Sequence, residues 1–324
     1  MNGSDTTAST WPDAESLAGP DAASLYREVA PAEPHPFVRC WWEQSVDERV
    51  DGYVQRVLPD ACADVIVSAD GSAVVVGPAT EPVLPRLRGG ERLRGLRIRT
   101  TAIGTVLGLP AYELRDLQVP LRELFPAAEA GRMADGVWHG RRWSPAVDGP
   151  PEDRRIEYAV RRLMRTGTRV ADLAGEIDLS ERQLRRLLLA ATGLEPRTLR
   201  RVARFQRFLT LSDQACTRPV SDRACTRPVS DRACTRPESD RACTRPESDR
   251  ARTRPDRART PSGPVRPERS LAELAVSAGY ADQAHLSREA RVLAGLTPSA
   301  LLAERHPSAA AAGRPGDTGH DFPA

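Results

Sequence analysis

Lysine is absent from this chain, and all 47 basic residues among its 324 are arginine. Asparagine occurs once, at Asn2, and aromatic residues make up only 5% of the sequence. No run approaches 18 consecutive apolar residues, so no membrane-spanning helix and no membrane partner are expected. Residues 1–20 lack both a basic start and an apolar core, which excludes a signal peptide and favours a cytoplasmic location.

Cysteine is scarce outside one segment. Four of the six cysteines recur every nine residues in a tandem repeat: Cys216, Cys225, Cys234 and Cys243. Only Cys40 and Cys62 lie elsewhere, a count that favours a reducing compartment over a disulfide framework. The spacing of nine, without a close C-x2-C pair or a nearby histidine, indicates bystander cysteines rather than a zinc site.

Motifs for common catalytic and cofactor sites are also missing. The chain has no phosphate-binding P-loop, no G-x-S-x-G motif and no H-E-x-x-H motif. Asp60, Cys62 and Asp64 would share one face of a strand, which leaves open a metal or redox-sensing site. A structural turn with a half-buried cysteine is the favoured interpretation. We therefore expect no cofactor, no bound metal and no enzymatic activity.

Charge is distributed unevenly, although the net formal charge is only +3. Residues 1–153 carry 15 arginines against 23 acidic residues, whereas residues 154–211 carry 14 arginines against 6. A basic segment beside an acidic one is typical of a DNA-binding module joined to a domain that does not touch DNA.

The N-terminal part is predicted to be a small, mixed, β-rich domain of sensor or dimerisation type over 21–130, preceded by disorder in 1–20. A helix is predicted near 102–109, and a Pro- and Gly-bearing linker over 131–153. The predicted strands are apolar runs bounded by turn residues: 53–59, 63–69, 72–78 and 93–100.

The C-terminal part is predicted to be an all-α DNA-binding domain because one pattern is written twice. The copies are VADLAGEIDLSERQLRRLLLAATGLEP (170–196) and LAELAVSAGYADQAHLSREARVLAGLTP (271–298). Each predicts a short helix, a tight turn, a second helix and a glycine stop, which is a helix-turn-helix. The first module with its connecting helix is placed at 154–211, the second at 268–305, and a disordered tail at 306–324.

A nine-residue unit beginning SDQACTRPV interrupts the two modules over 212–267. Proline in every unit blocks a continuous helix, and the low apolar content predicts disorder. A flexible chain of this length spans on the order of 40 Å, enough for two modules to reach grooves about 34 Å apart. The repeat either loops out from packed modules, which we favour, or uncouples them.

Candidate base-reading side chains lie on the second helix of each module, where the pattern predicts that they point outward. They are Arg182, Gln183, Arg185 and Arg186 in the first module, and Gln283, His285, Ser287 and Arg288 in the second. The forked donors of arginine match guanine in the major groove, and each good pair gives roughly 1–3 kcal/mol of discrimination. The alternative is a solvated basic face.

The string GYADQAHLSRE, followed by GLTP, resembles the second helix-turn-helix signature of the AraC/XylS family of bacterial transcription regulators. The strings RVLPDACAD and VVGPATEPV resemble a small sensor-type domain found on some of these regulators. Two departures stand out, namely Ala290 where the family usually has a large aromatic, and the insertion between the modules. A buried Phe side chain is typically worth about 3–5 kcal/mol, so a looser second core is expected.

The resemblance implies a regulator that binds double-stranded promoter DNA through both modules and resides on the bacterial nucleoid. It assigns base reading to the positions Arg182, Arg185, Arg186, Gln283, Ser287 and Arg288. RNA polymerase, a small-molecule effector at the N-terminal domain and a second copy of the chain are further partners that it leaves open. The alternatives are a degenerate regulator acting as an interaction module, and an AraC-like repair enzyme that transfers alkyl groups to a cysteine.

Overall fold

The structure is a computed structural model that describes residues 23–31, 33–140, 154–165, 168–217 and 269–306. The predicted disordered ends, most of the predicted linker and the repeat beyond residue 217 lie outside these residues, and so do the side chains of the four repeat cysteines.

The N-terminal domain is built on strands β1 to β8. Their bounds are Ser24–Val29, Val38–Val46, Gly52–Val54, Ala63–Ser68, Ala73–Val76, Arg86–Arg88, Arg92–Ile98 and Gln118–Pro120. Six of them form one antiparallel sheet in the order β1-β2-β7-β4-β5-β8, while β3 and β6 pair separately. The β-rich character predicted from the sequence is thus confirmed.

Alternating burial explains where the sequence prediction of strands succeeded. In β4, Ala63, Val65 and Val67 are buried and the residues between them are partly exposed, the period of two expected of a strand. The predicted strand at 53–59 is shorter, with β3 ending at Val54 and a single bridge from Val57 to Val83. Strand β2 escaped prediction because its residue types do not alternate. Its burial does alternate, except at Trp41, but the two tryptophans are adjacent and the buried set includes the polar Gln44.

Short helices cover one face of the sheet. They are α1 (Ile103–Leu107), a 3-10 turn (Ala111–Leu114), α2 (Leu121–Leu124) and α3 (Ala127–Trp138). Helix α3 packs Ala130, Met133 and Val137 into the core beneath the sheet. The predicted linker from 131 is therefore wrong at its start, because this apolar stripe continues the domain to Trp138.

Seven helices are described in the C-terminal part, within residues 154–217 and 269–306. They are α4 (Arg154–Arg165), α5 (Val170–Glu176), α6 (Glu181–Thr192), α7 (Pro196–Thr217), α8 (Leu271–Ala278), α9 (Gln283–Ala294) and α10 (Pro298–Arg305). Helix α7 runs six residues beyond the predicted boundary at 211, as far as Thr217, the last residue that the structure describes before residue 269.

Helix α7 packs against helices of both modules. It lies against α4 of the first module and against α8 and α9 of the second. Its side chains Leu199, Phe205 and Phe208 are fully buried in one core with Leu286 and Ala290 of α9. This packing is what the loop-out alternative requires, because it joins the modules although residues 218–268 separate α7 and α8 in the chain.

The N-terminal domain also packs on both modules. Arg56 donates from NH1 to the carbonyl of Ala294 at the end of α9, at 2.8 Å, and its Nε contacts Glu304 of α10 at 2.9 Å. Gln206 of α7 donates to the carbonyl of Pro59 at 2.6 Å. Helix α6 lies against α1 and the 3-10 turn. The three packed parts therefore meet around α7.

Gly193, which ends α6 with φ +70°, is the tightest point of this contact. A Cβ placed there would lie 2.7 Å from Pro78 Cγ and 2.8 Å from the Ala111 carbonyl oxygen. Gly295 ends α9 with the same φ of +70°, yet the nearest atom to its Cβ would be 3.6 Å away. The two glycines therefore share the backbone requirement and differ in crowding.

We expect Gly193→Ala to destabilise the full chain more than Gly295→Ala does, by about 1–3 kcal/mol, the usual cost of overpacking. Both substitutions carry the same left-handed backbone strain, so the difference reports the domain contact. Urea unfolding of both variants, followed by circular dichroism, measures it. Equal unfolding midpoints would contradict the packing of the N-terminal domain on α6.

Candidate nucleic-acid interface

The turn before α6 is built by local sequence signals. Asp178 takes up the left-handed conformation with φ +54°, which aspartate tolerates better than most residues. Ser180 then caps the helix, and its Oγ accepts the main-chain N–H of Gln183 at 3.3 Å. Leu184 and Leu188 face the core of the first module. The opposite side of α6 is thereby left at the surface.

Three arginines occupy that exposed side: Arg182, Arg185 and Arg186. Arg185 donates from Nε to Glu181 one turn earlier at 3.0 Å, and both side chains are more than two-fifths exposed. Exposed pairs of this kind are worth about 0.3–0.5 kcal/mol, so Arg185 is easily released to another acceptor. Arg182 and Arg186 make no hydrogen bond or ion pair within the described part of the chain.

Gln183 points back toward the start of its own helix. Its Oε1 accepts the Ser180 N–H at 3.0 Å and the Ser180 hydroxyl at 2.7 Å, which completes a capping box. A base contact by this side chain would give up bonds that satisfy the helix N-terminus. In the structure the Gln183 side chain is thus bonded to the start of its own helix, whereas the sequence predicts it among the readers.

The second module repeats the arrangement with different residues. Gly279, at φ +95°, makes the turn, and Asp282 caps α9 by accepting the His285 N–H at 2.6 Å. Gln283 and Arg288 are exposed, and neither makes a bond within the described residues. Ser287 is half-buried. Arg288 therefore occupies in α9 the place that Arg186 has in α6.

His285 does not point outward, contrary to the sequence prediction. Its side chain is 30% exposed, and its ring stands edge-on to Tyr280 with 5.2 Å between centroids. Its Nδ1 accepts the main-chain N–H of Ala281 at 3.5 Å. The reason is its place as third residue of the helix, the same place as Gln183, from which a side chain reaches back to the N-terminus.

A buried ion cluster fixes α9 to α7. Glu289, whose side chain is only 12% exposed, accepts from Arg201 Nε and from Arg204 NH2, each at 3.1 Å. Arg204 also lies over the ring of Tyr280, 5.4 Å from its centroid. Burial and the charge of Glu289 raise the pKa of Tyr280. Sequence reasoning missed this cluster because Glu289, flanked by Arg288 and Arg291, has the pattern of a solvated charged face.

One further arginine of α7 joins the modules. Arg207 donates from NH1 to the carbonyl of Ala278 at the end of α8, at 3.1 Å. From NH2 it donates to the carbonyls of Met164 at 2.9 Å and Arg165 at 3.2 Å, at the end of α4. Cations are stabilising at helix C-termini, where carbonyls lack partners, so one guanidinium serves both modules.

The candidate site around Cys62 is a structural turn. Ala61 has φ +64°, and the Cys62 N–H donates to Asp60 Oδ1 at 2.9 Å. Asp60 and Asp64 converge on the guanidinium of Arg97, at 3.5 and 3.2 Å, which places a protein cation between the two carboxylates. Among the described residues no three His, Cys, Asp or Glu side chains are grouped as metal ligands.

Both N-terminal thiols lie in surroundings that disfavour the thiolate. Cys40 and Cys62 are each 4% exposed, so Cys62 is more buried than the sequence suggested. Burial raises the pKa of both thiols to about 12. Arg39 NH1 donates to Cys62 Sγ at 3.3 Å, a basic partner that the sequence did not reveal, but burial outweighs its effect.

We expect Cys40 and Cys62 of the folded chain to resist alkylation by iodoacetamide at about pH 8, because the thiolate is the reactive form. Mass spectrometry of each cysteine peptide gives the labelling rate. The same peptides labelled in urea serve as the control for intrinsic reactivity. A native Cys62 that reacts as fast as the unfolded one would contradict this burial and would restore the alkyl-transfer alternative.

The fold is that of a two-part protein, in which a β-rich domain packs on the helices described in the C-terminal part. Residues 27–120 match the family model DUF6597, a domain of unknown function, from within β1 to the end of β8. That domain is found in AraC-like regulators, the family that the sequence strings resemble. No curated protein matches the chain.

The chain is also similar to crystal structures of ToxT from Vibrio cholerae. The apo form of a ToxT variant shares 12% identity over 87% of this chain and 97% of that chain, with a TM-score of 0.35. ToxT bound to an unsaturated fatty acid shares 11% identity over 89% and 97%, with a TM-score of 0.34. Separately, none of the described helices of this chain combines the length and the apolar content needed to cross a membrane.

Proposed function

We propose that this protein is a sequence-specific transcription regulator that places α6 and α9 in successive major grooves of promoter DNA. In helix-turn-helix proteins the N-terminal residues of the second helix contact base edges, and two such helices reach grooves about one turn apart. The proposal includes RNA polymerase and a second copy of the chain as further partners, and it assigns the protein no catalytic role.

The observation that carries the proposal is the shared packing of both modules on α7, with the arginines of α6 and α9 left at the surface. A protein that binds two successive grooves must keep its two recognition helices at a fixed separation. The core around Phe205 and Phe208 can fix that separation, because it packs α7 against the second module. Arg182, Arg186 and Arg288 are exposed and make no bond within the described residues, so guanine or phosphate oxygens can take their donors.

Within this proposal the candidate residues divide into two roles. The proposed readers are Arg182, Arg185, Arg186, Gln283, Ser287 and Arg288. Gln183 and His285, the third residues of their helices, act instead by fixing the helix N-termini. A helix start that moves by a fraction of an ångström moves every reader on it, so these two residues affect binding through position.

The two alternatives receive less support. Alkyl transfer needs an accessible thiolate, whereas Cys40 and Cys62 are buried with raised pKa values. An interaction module with uncoupled readers would not need the second module to share a core with α7. That module instead contributes Leu274, Leu286 and Leu293 to the common core.

We expect Arg185→Ala to lower affinity for the preferred site by about 1–3 kcal/mol and to relax the preference at one base pair. Fluorescence anisotropy on that site and on its single-base variants measures the change. Arg132→Ala, an exposed arginine on α3, is the matched control and should leave binding unchanged. Equal weakening on every sequence would make Arg185 a phosphate contact only.

The substitution Gln183→Glu, measured in the same assay, distinguishes a capping role of Gln183 from a direct base contact. Glutamate at the third position keeps the capping box but lacks the amide donor that a base contact requires. The base preference should therefore stay the same, with weaker binding to all sequences because of the added negative charge. A preference that changes at one base pair would contradict the capping role.

A further inference from the structure

A cavity of about 580 Å³ lies between the N-terminal domain and α4 of the first module. Three arginines line it, with Arg39 and Arg99 from the N-terminal domain and Arg161 from α4. Ligand sites typically have volumes of roughly 300–1,000 Å³ and often lie where domains meet. The cavity therefore has a size and a position that are typical of small-molecule sites.

The charge of the cavity favours an anion. Glu157 is the one carboxylate among its described lining residues, and it pairs with Arg161 on the same helix at 2.6 Å. Asp60 comes within 3.7 Å of Arg39 but does not line the cavity. Three guanidinium groups and one carboxylate leave two net positive charges on the lining.

Arg99 and Arg39 are fixed by hydrogen bonds that leave some of their N–H donors available to a ligand. Arg99 donates from Nε to the carbonyls of His35 at 2.8 Å and Val38 at 3.1 Å, and its two amino groups make no bond within the described residues. Arg39 donates from Nη1 to the sulfur of Cys62, which is a weak acceptor. The hydroxyl-bearing residues Thr100 and Thr101 line the same wall. Donors are thus abundant and strong acceptors are few.

Most of the remaining lining is apolar. Val160 and Met164 of α4 line the cavity together with Pro34 and Pro36 of the N-terminal domain. A ligand that fills this space needs both an anionic group and a short apolar body. Apolar walls with a few convergent polar groups are the usual composition of a small-molecule site.

We propose that this cavity binds a small molecule in which a phosphate monoester, a compact dianion, is attached to a short apolar body. Two negative charges match the lining, and phosphate oxygens suit the paired donors of guanidinium groups. The inference adds to the proposed function the small-molecule effector that the AraC/XylS resemblance left open, and it rests on that function only for its regulatory meaning. Ligand binding would act on α4, whose last carbonyls Arg207 holds.

Phenyl phosphate is the probe, titrated into the full chain by isothermal calorimetry at about pH 7.5, where a second pKa near 6 leaves it a dianion. Benzyl alcohol is the neutral comparison of similar size. Arg161→Gln is the main variant, because the Arg161 side chain is 60% exposed and its loss should not affect folding. Arg99→Gln tests the opposite wall, and Arg132→Gln is the control outside the cavity.

We expect wild type to bind phenyl phosphate at least tenfold more tightly than benzyl alcohol. Arg161→Gln should weaken phenyl phosphate binding about tenfold or more, the loss expected of one charge-assisted hydrogen bond, and Arg132→Gln should not weaken it. No binding by folded wild type, equal binding of the alcohol, or unchanged binding by Arg161→Gln would each overturn the inference. The assay contains no DNA, so a chain that binds the probe but selects no DNA sequence would refute the proposed function alone.

Discussion

The shared helix α7 is the constraint on which the rest of the structure depends, and Arg207 shows how it acts. Its guanidinium reaches the last carbonyls of α4 in one module and of α8 in the other. Helix C-termini carry partial negative charge and unpaired carbonyls, so one cation on α7 stabilises an end of each module at once. The two modules are thereby held as one body, although residues 218–268 separate α7 and α8 in the chain.

This arrangement explains how a small number of exposed side chains can act as readers. Helices α6 and α9 are each fixed on their inner side, α6 by its leucines and α9 by the ion cluster of Glu289 with Arg201 and Arg204. The N-terminal domain adds contacts at the C-terminal ends of both helices, through the crowded Gly193 and through Arg56. The exposed arginines lie in the N-terminal halves of both helices, away from these contacts.

Much of the local structure could be predicted from the sequence because its causes are local. The cap at Ser180 and the glycine stops at Gly193 and Gly295 depend on residues within one turn, and all are present. What could not be predicted depends on partners far along the chain. The sequence alone predicts that Glu289 is a solvated charge, because its partners Arg201 and Arg204 lie on α7. Arg56 likewise lies 238 residues from the carbonyl that it caps. The sequence prediction for His285 was wrong because the orientation of its side chain depends on its position in the helix cap and not on its chemistry.

Selection of bound DNA from a random duplex library tests the central claim most directly. The chains compared are the full protein, a version lacking 218–268, and Arg207→Ala. If α7 couples the modules, the first two should select one shared motif of two half-sites about one helical turn apart, and Arg207→Ala should lose the fixed spacing between them. A single half-site from the full chain, with two from the deletion, would mean that the repeat breaks the coupling. No motif from any of the three would contradict sequence-specific reading altogether.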